Sequence, residues 1–374
     1  MIRKHLSSVK PGEICAFDVF DRQGRALARQ GSEFTESRVR ALRSAGIPFV
    51  YCRDASIKPY MPFPGGLLCG LLRAIANYTA SNGSDSAALK DYGLNEVKEL
   101  SSYSGEPASR IAHGHVFRYL AKKICDCAAA EPLAVEFSDY RDETSYLDYH
   151  AASVSCLCAA VAAKMGLKEA EISAAACAGM LYDMKMRAIR AVDSPGKLGA
   201  ADAEEMRGHA ALAAEEYRKI FGMPASCAVA AAQHHERLDA GGYPNALGGD
   251  SISLSARILA VCDVYDAMTS RRPHRPRIMP DEAWEYIRQN SGVLFDAAAA
   301  GAFCSVVPKF RSSDIVALSS GGKAIVCRNN LSDMERPVIK IIEKKGGSDI
   351  ISGAEIDLSR ENSLTIINTD AIAY

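Results

Sequence analysis

Between residues 140 and 310 the chain turns Ala-rich and reads as almost unbroken helix, and this stretch limits the fold most. Its apolar run 151–163 is cut off by Lys164, well short of the roughly 20 residues that a membrane-spanning helix needs. Polar residues interrupt this apolar text at telling places. His150 opens "YHAASVSCLCAAVAAKMG", and Val154, Leu157, Val161 and Met165 share its helical face, so His150 is expected to point inward. His209 has Leu212, Ala213 and Ile220 at comparable spacings and is expected to do the same. Asp263 stands among Ala256, Leu259, Ala260 and Ala267, and Asp183 follows the apolar "AGMLY". The segment "QHHERLDAGGYP" at 233–244 adds His234 and His235.

A buried carboxylate is costly unless it is paired or ligates a cation. One inward histidine is more often a core or capping residue than a ligand. Four such histidines and two such aspartates on separate helices point instead to a common partner, because metal sites in bundles are built from inward residues on facing helices. A His/Asp set without thiolates suits Fe, Mn, Zn or Co.

The flanks differ from this helical core. Residues 1–53 read as a small α+β module, with strand-like "ICAFDVFD" and "RALAR", a helix capped by Thr35 and ended by Gly46, and a strand "IPFVYC". Residues 54–139 are a Pro/Gly-rich linker followed by interrupted helical text. From 311 to 374 the runs "IVALSS", "KAIVCR", "PVIKIIEK" and "SLTIINT" give a β-rich tail with Gly-Gly and Asn-Asn turns. The fold class is therefore mainly α, with a small mixed module before the core and a β-rich tail after it.

Composition excludes some functions. A net charge of −1 argues against a broad basic surface for nucleic acid. No apolar segment suits membrane insertion, and the first residues carry no apolar signal region, so a cytoplasmic location is expected. The twelve cysteines lack CxxC spacing and lie mostly in apolar helical text, as reduced core thiols do.

In order and spacing, His150, Asp183, "SPGKL" at 194–198, His209, "HHERLDAGGYP" and "ARILAVCDVYDAMTSRRPHR" at 256–275 resemble the HD-GYP domain, a branch of the HD phosphohydrolase superfamily. The resemblance covers residues 140–310 and implies a helical HD-type bundle that cleaves cyclic di-GMP to linear pGpG or GMP with a pair of divalent ions, such as Fe or Mn. It implies that Asp183 bridges both ions as the central catalytic residue. His150 and Asp263 would serve one ion, and His209, His234 and His235 the other. It further implies that Arg272 and Arg275 hold substrate phosphates, and that Tyr243 and Pro244 shape the substrate pocket. Glu236 and Asp239 would orient the histidines and the Gly-rich loop, and Asp266 would make a supporting or surface contact.

The chain departs from the family in the His-Asp motif and in the Gly-rich loop. Where the family has His-Asp-Ile-Gly-Lys, it reads Tyr182-Asp183-Met184-Lys185-Met186, and Ala240 replaces a preferred glycine. A tyrosinate binds a hard metal such as Fe(III), whereas a protonated phenol weakens or loses that ion. Lys185 is rotated about 100° from position 186 and does not replace the missing ammonium. The Ala240 change is mild unless its φ is positive. Tyr146, where some members have a third-metal Glu, implies no third ion. Three functions stay open: a phosphodiesterase for cyclic di-GMP or a related nucleotide with an altered centre, an impaired domain acting as a cyclic di-GMP receptor or signalling-protein partner, or a phosphohydrolase for a different nucleotide, each compatible with a homodimer.

Overall fold

The structure is a computed structural model. It describes residues 146–369 apart from 184, 187–198, 221, 271–276, 313 and 346–347, most of 2–52, and a few positions between 121 and 135. The interrupted helical text of 54–120, "SPGKL", Arg272, His274 and Arg275 lie outside the described residues.

Near the N-terminus β1 (Ile2–His5) pairs antiparallel with β4 (Phe49–Cys52), and β2 (Val19–Phe20) pairs with β3 (Ala26–Ala28). Helix α1 (Glu36–Ser44) starts where the Thr35 side chain accepts a hydrogen bond from the Arg38 amide. Phe34, Leu42, Val50 and Cys15 form the buried centre of this unit. Strand β1, "IRKH", was not anticipated, because three of its four residues are polar and no apolar alternation marks it.

The helical body comprises α2 (Tyr146–Lys164), α3 (Glu169–Leu181), α4 (Ala200–Lys219), α5 (Ala225–Gln233), α6 (Leu254–Thr269), α7 (Pro280–Gln289) and α8 (Ala297–Val306). Helix α2 packs against α3, α6 and α8, and every residue from Val154 to Ala162 is buried. A helix apolar all round belongs at the centre of a body, and α2 takes that place. Small side chains set the spacing. A Cβ on Gly179 of α3 would lie 2.7 Å from the Ser155 Cα of α2, and the Ser155 hydroxyl donates to the Ala176 carbonyl at 2.7 Å. This contact fixes the C-terminal end of α3, and with it residues 182–183, against α2.

On α4 the expectation for Leu212 fails. His209, Ala213 and Tyr217 are buried, but Leu212 is 49% exposed. The inward stripe follows the i+4 rows through Ala213 and Tyr217, and three residues from His209 the helix has already turned outward.

After α8 the chain forms a five-stranded antiparallel sheet in the order β8-β7-β6-β5-β9. Its strands are β5 (Ile315–Leu318), β6 (Lys323–Asn330), β7 (Asp333–Lys345), β8 (Ser348–Asp357) and β9 (Ile366–Thr369). Strand β8 escaped the sequence reading because Gly353, with a φ of 82°, breaks its apolar pattern. Hydrogen bonds tie the sheet to the helical body. The Lys309 amide donates to the Met334 carbonyl at 3.1 Å, and the Thr369 amide donates to Asp281 Oδ2 at 3.0 Å.

Candidate metal centre

Five helices bring the polar residues of the core to one place. The second turn of α2 carries His150, and the turn after α3 carries Tyr182 and Asp183. His209 comes from α4, His234 and His235 from the end of α5, and Asp263 and Asp266 from α6. His150, Tyr182 and His234 are wholly buried, and the Asp183 side chain is 13% exposed.

Two sets of donors form around Asp183. His209, His234 and His235 make one, and His150, Asp183 and Asp263 make the other; within each, the ligand atoms all lie within 4.8 Å. In the first set His209 Nε2 lies 3.2 Å from His234 Nε2 and 3.3 Å from His235 Nε2. Asp183 Oδ1 stands 3.2 Å from His209 Nε2 and 3.8 Å from His234 Nε2. Nδ1 of His209 faces the Met206 carbonyl, and Nδ1 of His234 faces the Ala231 carbonyl at 2.8 Å. A ring that donates from Nδ1 presents a lone pair at Nε2 when neutral. The clustered nitrogens and the buried Asp183 Oδ1, to which no hydrogen bond is made, are donors that could hold a cation.

The electrostatics agree. Burial pushes His234 below its usual pKa, and burial with the neighbouring His234 pushes His235 well below it. Burial opposes the charge on His209 too, but Asp183 raises its pKa. Asp183 is driven upward by burial and held well below the carboxylate range by His150 and His209, which outweigh it. Asp263 is likewise lowered against burial by His150.

The other donor set differs. His150 Nδ1 meets Asp266 Oδ2 at 2.7 Å, so Asp266 orients the ring from behind. His150 Nε2 faces Asp263 Oδ1 at 3.1 Å and Asp183 Oδ2 at 3.6 Å. The Tyr182 hydroxyl enters this space, donating to Asp263 Oδ1 at 2.8 Å and lying 2.5 Å from His150 Nε2.

The loop after α5 is built against the three-histidine set. Glu236, 2% exposed, accepts the amides of Asn245 and Leu247 at 2.8 and 2.9 Å, which holds the loop back under the histidines. Asp239 accepts the Gly241 amide at 2.9 Å. A Cβ on Gly242 would come within 2.4 Å of the His235 carbonyl, so only glycine fits there. Ala240 has a φ of 60°, the case in which replacing a glycine is not mild. The Tyr243–Pro244 peptide is cis. The Tyr243 ring stacks on His235 with centroids 4.5 Å apart. Arg207 of α4, which the sequence reading did not single out, lies 5.5 Å from the Tyr243 ring centre. Only its position two residues before His209 could have drawn attention to it.

Met186 is buried, and the neighbouring Lys185 ammonium is 3.1 Å from Glu216 of α4. Lys185 is thus committed to an ion pair and does not stand in for the family's lysine. All ten cysteines among the described residues are free thiols. No described helix is long and apolar enough to cross a membrane.

Comparison with known proteins gives the same assignment. Residues 140–299 match the HD domain family. A cyclic di-GMP phosphodiesterase of Pseudomonas aeruginosa is 31% identical over 221 residues, covering 59% of this chain and 53% of that protein. A cyclic di-GMP phosphodiesterase response regulator of Xanthomonas campestris pv. campestris is 29% identical over 249 residues, covering 65% of this chain and 58% of that protein. The 3′3′-cGAMP-specific phosphodiesterase 3 of Vibrio cholerae is 30% identical over 174 residues, covering 46% of this chain and 38% of that protein. The chain therefore spans little more than half the length of the first two relatives. Residues 140–299 of this chain are thus similar to the HD domain family, and the relatives that share them are named as cyclic di-GMP and cGAMP phosphodiesterases.

Proposed function

We propose that this domain is a metal-dependent phosphodiesterase that hydrolyses cyclic di-GMP or a related cyclic dinucleotide to its linear form. The observation that carries the reading is the clustering of His209, His234 and His235, with Asp183 Oδ1 3.2 Å from His209 Nε2 and the Tyr243 ring stacked on His235. In this reading Asp183, His209, His234 and His235 hold a divalent ion such as Mn or Fe. When bound, such an ion polarises a phosphoryl oxygen and lowers the pKa of a water nucleophile. His150 and Asp263 belong to the position of the second ion, which Tyr182 weakens. Glu236 keeps the loop closed, and the Tyr243 ring stacks on His235 with an interplanar angle of 27°. The Arg207 guanidinium lies over that ring, and an aromatic with a cation against it suits a pocket for a purine joined to a phosphate. Pro244 shapes the same pocket, and Arg272 and Arg275 supply further phosphate contacts. The names of the relatives, cyclic di-GMP and cGAMP phosphodiesterases, support this substrate class. The domain organisation fits a cytoplasmic signalling protein working as a homodimer or with a signalling partner.

One observation favours a second reading, a receptor that binds the cyclic dinucleotide without cleaving it. Met186 occupies the family's lysine position, and Lys185 is held by Glu216. Losing one positioned donor to a phosphate commonly costs about 10²–10³ in rate. The deciding experiment incubates the full chain with excess Mn(II) or Fe(II) and either cyclic di-GMP or 3′3′-cGAMP. Linear products are separated chromatographically, and binding is measured by calorimetry. Metal-dependent product that disappears in His234→Ala supports the enzyme. Micromolar binding without product establishes the receptor, and neither binding nor product overturns both readings.

A further inference from the structure

The two donor sets around Asp183 have different internal geometry. Ligand atoms about 2.1 Å from a shared ion lie about 3.0–3.4 Å from one another in octahedral or tetrahedral arrangements. The His209–His234, His209–His235 and His209–Asp183 separations of 3.2, 3.3 and 3.2 Å meet that spacing, with His234–Asp183 wider at 3.8 Å. In the other set His150–Asp263, at 3.1 Å, meets it too, and what differs there is the Tyr182 oxygen. The Tyr182 oxygen is closer to its neighbours, 2.5 Å from His150 Nε2 and 2.8 Å from Asp263 Oδ1, which is hydrogen-bond spacing. A hydroxyl offers one proton and two lone pairs, so one oxygen can serve an acceptor and a ring nitrogen together. The arrangement is also closed from behind, since Asp266 Oδ2 takes His150 Nδ1 at 2.7 Å. The phenol itself is fully buried and packs its ring edge-on against His234 at 4.8 Å.

We infer that the Tyr182 hydroxyl takes the place of the ion between His150 and Asp263, so that this protein carries a single-ion centre on Asp183, His209, His234 and His235. The hydrogen bonds through Tyr182 satisfy His150 and Asp263, which in a two-ion site would need a cation. Asp183 then serves one ion rather than bridging two. The inference rests on the reading of the site as a metal centre, but it concerns only how many ions are held and where.

The test is metal counting on the full chain reconstituted with Mn(II), with electron paramagnetic resonance of the same samples. Wild type is expected to hold one equivalent with the spectrum of an isolated ion. Tyr182→His is expected to hold two equivalents with the spectrum of an exchange-coupled pair. Asp263→Asn is expected to keep the count at one equivalent, because Asp263 faces a phenol, whereas His209→Ala is expected to abolish binding. If Tyr182→His does not fold, the wild-type count and Asp263→Asn still decide. Two equivalents or none in the wild type would overturn the inference. So would a visible charge-transfer band with Fe(III) that vanishes in Tyr182→Phe, since that marks a tyrosinate ligand. One equivalent of metal with no nucleotide binding or turnover sinks the proposed function and leaves the single-ion centre standing.

Discussion

At position 240 the backbone is left-handed with a φ of 60°, although the residue is alanine. A Cβ in that region costs about 1–2 kcal/mol, partly offset by the lower entropy of the unfolded chain relative to glycine. Ala240→Gly is therefore expected to stabilise the helical domain by about 1 kcal/mol, measured as a raised urea midpoint with unchanged slope. The neighbouring Gly242 has no such latitude, because a Cβ there would strike backbone atoms of His235 and Glu236. Much of the site at this scale is legible in the sequence: His150, Asp183, His209, His234, His235 and Asp263 stand out as polar residues in apolar helical text. The position of the Tyr182 hydroxyl is not legible. It depends on the turn after α3 meeting α2 and α6, a three-way contact that no spacing along the chain encodes.

Helices α2 and α3 show what governs the site one level up. They touch at Gly179 and Ser155, where backbone meets backbone. Gly179→Ala is expected to force the helices apart at a cost of about 1–3 kcal/mol and to move Tyr182 and Asp183 away from His150. Denaturant unfolding reads the first effect, and metal affinity that drops more than stability explains reads the second. The end of α5 carries a pH response. His234 and His235 have lowered pKa values in the fold, so below the unfolded value of 6.5 the unfolded chain takes up protons that the fold resists. Their contribution is lost as pH falls from 6.5. His209 is raised, so its contribution is complete below 6.5 and is lost as pH climbs through its higher folded value. Metal-free protein is thus expected to be most stable near pH 6.5, with the urea midpoint falling on both sides, and His235→Asn is expected to flatten the acid side. Helical periodicity was a weaker guide here than it looked. On α2 every residue from Val154 to Ala162 is buried, so the stripe that included His150 did not distinguish it, and on α4 the same reasoning placed Leu212 inside when it is outside.

Over the molecule as a whole, Lys309 and Trp284 mark the joint between the helical body and the C-terminal sheet. Lys309 lies between Glu285 of α7 and Glu335 of β7, 3.1 Å from each, with its ammonium 5.1 Å from the Trp284 ring centre. Trp284 is buried and donates its indole N–H to the Val307 carbonyl at 2.9 Å. Four β-rich runs were readable beyond residue 310, but strand order and the seam were not, because pairing β9 with β5 and Thr369 with Asp281 joins residues far apart in sequence. Trp284 is the chain's single tryptophan, and this gives the seam an optical readout. Excitation near 295 nm selects indole, so emission from this protein comes from one known place beneath Lys309. Intact protein is expected to emit at the short wavelengths of a dry indole. Lys309→Ala is expected to shift emission to longer wavelength and raise iodide quenching while circular dichroism stays helical. Unchanged emission would mean that the lysine does not shield the ring. Any nucleotide or metal that loosens or tightens the joint between body and sheet will report itself in that one signal, with no label added.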